Sequence, residues 1–197
     1  MSGEPNFENI ENESQNQEKD EVEFSKELPG KENLKNELLQ EGLKAEDIAI
    51  SISLAENIRE LDFLVFGKNI PIVFADFECE QDKEIKAFYA PRARKQKESY
   101  IIYVPKMKEC LEGAHFYFDE QGKLTNEKTD KPITVPELLV QIAAHEVRHR
   151  FQQKLEIKRK VGKKKSVIEY DSHLVEFAAV EAFHAGKTME EIAELIK

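Results

Sequence analysis

Residues 142–151 read "IAAHEVRHRF", and how this stretch is read decides how the rest of the chain is read. It holds His145 and His149, four positions apart, with Glu146 directly after the first. On a helix, residues four apart share one face, with Cβ atoms about 5–6 Å from each other. Two imidazoles at that spacing can reach one ion at roughly 2.0–2.1 Å per metal–nitrogen bond. Glu146 points about 100° further round and can lean over an open coordination position. A carboxylate there can take a proton from an activated water, which is the logic of the H-E-x-x-H arrangement in zinc hydrolases.

A plainer reading competes. Arg148 and Arg150 alternate with Val147 and Phe151, as in a surface-facing His/Glu/Arg stripe. The residues before His145, "LLVQIAA", favour the metal. They are apolar and end in two small alanines, so the helix is expected to be buried. A buried helix that turns to His-Glu must satisfy those polar groups. A cation does so directly.

A zinc site needs a third protein ligand. The segment "VIEYDSHLVEFAAVEAFHAG" (167–186) reads as the next helix, stopped by Gly186. It offers Glu169, Asp171, His173, Glu176 and Glu181. Leu174, Val175, Ala178 and Ala182 mark the face expected to pack on the H-E-x-x-H helix. Asp171 lies three and four positions before Leu174 and Val175 and continues that face. The expected ligands are therefore His145, His149 and Asp171, with Glu169, Glu176 and His173 as alternatives for the third.

"AAHEVRHRFQ" followed by "EYDSHLVEFAA" resembles the small gluzincin-type (minigluzincin-like) zinc metallopeptidases. The resemblance covers roughly residues 135–186. It implies a zincin-like fold, a Zn²⁺ cofactor and a peptide or protein substrate. It also implies an acidic third ligand on the following helix, usually Glu, with a small residue after it. Asp171-Ser172 matches that pattern with Asp in place of Glu. A small preceding sheet with an edge strand along the cleft is implied too, and residues 70–104 could provide it. Two departures stand out: the shorter Asp needs closer helices, and Arg148 adds charge where many such peptidases carry none.

Upstream, Ile48, Ile52, Ala55, Ile58 and Leu61 recur at helical spacing within Leu38–Phe66. Gly42 separates a short first turn and Gly67 closes the helix. "IPIVFADFE" (70–78) and "EIKAFYAPR" (84–92) read as strands around the turn-like "CEQDK", followed by the strand "SYIIYVP" (99–105). "KMKECLEG" reads as a short helix and "HFYFDEQGKLTN" as a hairpin over Glu-Gln-Gly. Thr134 with Glu137, and Thr188 with Glu191, form capping boxes that open two C-terminal helices. The fold class is α+β: an N-terminal helix, a small mostly antiparallel sheet, then C-terminal helices carrying H-E-x-x-H.

Residues 1–36 are acidic and poor in apolar side chains, so they are expected to be a disordered tail ahead of one domain over 37–197. The net charge of -10 argues against general nucleic-acid binding. The basic stretch 154–166, "KLEIKRKVGKKKS", lacks interleaved aromatics and reads as a solvated loop. The two cysteines, Cys79 and Cys110, form no C-x-x-C pair, which fits a reducing compartment. No apolar run approaches the ~20 residues needed to span a bilayer, and no apolar leader is evident. A cytoplasmic setting is expected, with no membrane partner.

The function expected from these readings is zinc-dependent peptide hydrolysis with Glu146 as the catalytic base. The alternative is a non-catalytic binding or regulatory protein of phage or plasmid type, whose helix pair packs without metal. Tyr89, Tyr100, Tyr103 and Tyr170 are candidates for stabilising an oxyanion. His184 is expected to cap the end of its helix.

Overall fold

The computed structural model describes residues 25, 27–77, 86–91, 97–155 and 165–197. Its elements are α1 (Lys31–Gln40), α2 (Ala45–Phe66), β1 (Ile72–Ala75), β2 (Ala87–Ala90), β3 (Ser99–Tyr103) and α3 (Met107–Glu112), then β4 (Tyr117–Phe118), β5 (Leu124–Thr125), α4 (Val135–Lys154), α5 (Lys165–His184) and α6 (Met189–Ile196). The architecture is α+β, as expected. Among the described residues, no helix is long and apolar enough to cross a membrane.

α2 forms because its apolar residues return every three or four positions. Ile48, Ile52, Leu54, Ala55, Ile58 and Leu61 are all buried. Gly67 ends it with φ 69°, a left-handed value that costs a glycine nothing, and its N–H reaches Phe63 O at 2.7 Å. α1 begins at Lys31, inside the stretch expected to be a tail, and buries Leu38 against Ile48, Ile52 and Val104. Residues 1–24 of that stretch lie outside the described residues.

α4 opens as expected. Glu137 Oε2 accepts from both the N–H and the hydroxyl of Thr134, each at 2.7 Å. Leu138, Leu139, Val140, Ala143, Ala144 and Val147 are buried on several sides of the helix. A helix buried on several sides, polar residues included, is a central one. α4 packs on α2, on α5 and on the edge of the sheet.

The sheet has the order β1-β3-β2. β3 pairs in parallel with β1, Val73 opposite Ile101, and antiparallel with β2, Phe88 opposite Ile101. Two of the three ladders, β2–β3 and β4–β5, are antiparallel. β1 and β2 are not neighbours: β3 lies between them. The turn-like 79–83 that separates them in sequence lies outside the described residues.

β2 is thereby an edge strand, and its edge faces α4. The N–H of Tyr103 donates to Lys86 O at 2.9 Å. Antiparallel pairing alternates, so Phe88 and Ala90 exchange hydrogen bonds with β3 while Ala87 and Tyr89 turn their backbone groups outward. That outward edge is where the site is built.

Candidate metal centre

α4 brings His145 and His149 together as their spacing predicts. Their Nε2 atoms are 2.9 Å apart. Glu169 Oε2, from the first turns of α5, lies 3.3 Å from His149 Nε2 and 3.6 Å from His145 Nε2. Four ligands around one zinc at about 2.05 Å stand roughly 3.3 Å from each other by tetrahedral geometry. The three separations bracket that value.

The outer contacts fix which nitrogens carry protons. Gln152 is completely buried, and its Nε2 donates to Ile168 O at 3.0 Å and to Asp171 Oδ2 at 2.7 Å. Both partners are pure acceptors, so the amide NH₂ must be on that side and Oε1 must accept. Oε1 lies 3.2 Å from His149 Nδ1, with Ser172 Oγ 3.3 Å away. His149 is therefore protonated at Nδ1 and presents a bare Nε2. On His145, Nδ1 stands 2.6 Å from Glu176 Oε2 at an angle outside hydrogen-bond geometry, which still favours a proton on that nitrogen. Two Nε2 lone pairs and a carboxylate oxygen then converge on one point. Such a set can share a proton or hold a cation, and two imidazole nitrogens with one carboxylate oxygen are donors that zinc accepts.

Electrostatics agree. Burial pulls the His145 imidazole down, but Glu176 and the charges of Glu146 and Glu169 outweigh it, and the net shift is upward. Burial also pushes Glu176 up; its contacts with His145, His173 and Gln141 overcome this and hold it below the ordinary carboxylate range. Glu176 Oε1 lies 3.0 Å from His173 Nδ1 and accepts from Gln141 Nε2 at 3.2 Å. One buried carboxylate thus serves two imidazoles.

Glu146 is held from the sheet. Its Oε2 accepts from the outward N–H of Tyr89 at 2.6 Å. Burial raises its carboxyl to about 7, only partly offset by His145 and the Tyr89 N–H. With His145, His173 and Glu176 it lines a cleft of about 680 Å³, whose other wall includes Leu111, Ala114 and Phe116.

Asp171, the expected third ligand, stands elsewhere. Its Oδ2 accepts from Arg148 Nε at 2.8 Å, its Oδ1 from Arg148 Nη2 at 3.3 Å, and Gln152 occupies it as well. Glu169, one of the alternatives, faces the imidazoles instead. The reason lies in α5. Its inward face is Ile168, Ser172, Glu176, Ala179 and Val180, whereas Leu174 is 51% exposed. Polar residues that support the imidazoles interrupt the apolar stripe and displace its apparent centre.

Other expectations fall out differently. The surface-facing stripe does not form: Arg150 is fully buried, Nη1 2.5 Å from Asp62 Oδ1, with its guanidinium over the Phe66 ring. Tyr100 OH donates to Asp62 Oδ1 at 2.7 Å, Tyr170 is exposed, and Tyr89 meets Glu146 through its backbone. His184 is the last residue of α5, in the terminal turn as expected, and its Nδ1 lies 2.7 Å from Glu137 Oε1 while its ring stacks on Phe118. Glu176, an alternative for the third ligand, instead supports His145 and His173 from outside, and Gln152, three residues past His149, is a sequence sign of such support. The basic segment 156–164 lies outside the described residues.

No protein-family model matches the chain, and no curated protein or solved structure matches it.

Proposed function

We propose that the protein is a zinc-dependent hydrolase acting on peptide bonds, of the small gluzincin type its sequence resembles. The observation that carries this reading is the convergence of His145 Nε2, His149 Nε2 and Glu169 Oε2 at 2.9–3.6 Å beside the buried Glu146. His145, His149 and Glu169 would hold the ion. Zinc, when bound, supplies Lewis acidity that makes water nucleophilic near neutral pH and polarises a carbonyl.

The chain's own groups do the rest. Tyr89 N–H occupies Oε2 of Glu146, so Oε1 is the oxygen that takes the proton of the attacking water and returns it to the leaving amine. A carboxyl at about 7 in the metal-free protein is matched to moving a proton in both directions. A nearby cation would lower it and favour the base form. The outward backbone of Ala87 on β2 is placed to hold an extended peptide by strand addition, with Leu111 and Phe116 excluding water. The absence of a C-x-x-C pair is consistent with a cytoplasmic setting.

The competing reading is a non-catalytic regulatory protein in which a proton bridges the two Nε2 atoms. The 2.9 Å contact alone accommodates it. Metal analysis separates the two: the hydrolase carries about one zinc per chain as purified, and the regulatory protein none. Glu146→Gln should then abolish hydrolysis of a mixed peptide library while zinc stays bound.

A further inference from the structure

Arg148 and Asp171 remain unexplained by the hydrolytic reading, yet they are joined to the site by an unbroken chain of hydrogen bonds. Arg148 Nη1 donates to Ile196 O, the last carbonyl of α6, at 2.6 Å. The rest of its guanidinium grips Asp171 with two donors. Asp171 Oδ2 accepts from Gln152 Nε2, and Gln152 Oε1 stands at His149 Nδ1. Each member sets the next. The C-terminal carbonyl of α6 and the Asp171 carboxylate orient one planar fork, which has donors for both. The carboxylate, at the shorter distance, fixes the rotation of the Gln152 amide together with Ile168 O. The amide in turn fixes the tautomer of His149.

We propose that Arg148 and Asp171 are positioning residues for His149, and that α6 is coupled to the metal centre through them. This rests on the metal reading for its consequence, because the tautomer so fixed is the one that presents Nε2 to an ion. The chain also accounts for a charge in the middle of the H-E-x-x-H helix. Arg148 balances an Asp171 that would otherwise stand unneutralised, its charge felt at His149. His149 and Asp171 stand 22 positions apart in sequence, and it is the packing of α4 on α5 that brings them into one arrangement.

The test uses the full chain, with cobalt(II) as the probe ion. Asp171→Asn and Arg148→Gln should each weaken cobalt binding about 10–100-fold, the usual effect of losing an outer partner of a ligand. Arg148→Lys, which keeps the charge but loses the fork, should fall between them and the parent. Melting temperatures that drop while cobalt affinity stays unchanged would assign the chain a merely structural role and overturn the proposal. If Arg148→Gln does not fold, Asp171→Asn decides, since it changes charge and not volume.

A second measurement needs no metal. Imidazole nitrogen shifts of the metal-free protein, recorded above the histidine titration range, should show His149 protonated at Nδ1. Asp171→Asn should turn this into a mixture of tautomers. Identical spectra would overturn the proposal. A parent that takes up no cobalt would sink the metal reading, and the tautomer comparison would still decide the role of Asp171.

Discussion

The N–H of Tyr89 donates to Oε2 of Glu146 at 2.6 Å, across 57 positions of sequence. One hydrogen bond thereby ties the acid of the H-E-x-x-H helix to the outward edge of β2. It leaves Glu146 buried, with one oxygen committed and one available.

If Oε1 of Glu146 moves the proton, Glu146→Gln should cut kcat by about 10²–10⁴-fold, the usual contribution of a general acid–base. KM and zinc content should change little. The check is peptide hydrolysis with parallel elemental analysis; an undiminished kcat removes Glu146 from the mechanism.

The same carboxyl makes stability depend on pH. Its folded value, about 7, lies above the ordinary 4.5, so the folded protein binds the proton more tightly than the unfolded chain does. The stabilisation is complete below about 4.5 and is lost as pH rises through about 7, amounting to on the order of 3 kcal/mol. In metal-free protein, the unfolding free energy of the parent minus that of Glu146→Gln should therefore fall between pH 4.5 and 7. Urea titrations across that range give the difference, and a flat profile would contradict it.

The third ligand is decided by comparing acids. Glu169→Ala removes an oxygen 3.3 Å from His149 Nε2 and should reduce zinc affinity by several orders of magnitude. Glu176→Ala removes an outer partner and should cost about 10–100-fold. Competition with a chromophoric chelator measures both. Equal losses in the two variants would mean that Glu169 is not a direct ligand.

Behind the site, Arg150 is completely buried against Asp62, which also takes Tyr100 OH and the Ile70 N–H. Arg150→Met leaves a buried carboxylate without its cation and should cost about 3–5 kcal/mol. Replacing both partners, Arg150→Met with Asp62→Leu, should recover part of that loss, the orphaned Tyr100 OH and Ile70 N–H keeping back the rest. Denaturant melts of the single and double variants test it, and a double variant no better than the single would contradict it.

Much of the helical framework was legible locally. Thr134 with Glu137, Thr188 with Glu191, and Gly67 each announce a helix end through contacts within four residues, and all three act as read. The pairing of His145 with His149 was legible for the same reason. What escaped depends on distant partners. β3 inserts between β1 and β2 because strand order is set by tertiary packing, about which the intervening turn says nothing. The inward face of α5 is hidden from an apolar pattern because Ser172 and Glu176, both polar, are buried on it. A stripe drawn through Leu174 and Ala178 then pointed to Asp171, although Glu169 lies one turn before Ser172 on the true face.

The account stands or falls on whether His145, His149 and Glu169 bind one ion together. Zinc titrated calorimetrically into metal-free protein should saturate at one equivalent per chain in the parent, and the same titration of His149→Ala should show that binding lost. No heat of binding in the parent, or an unchanged isotherm in the variant, would contradict it.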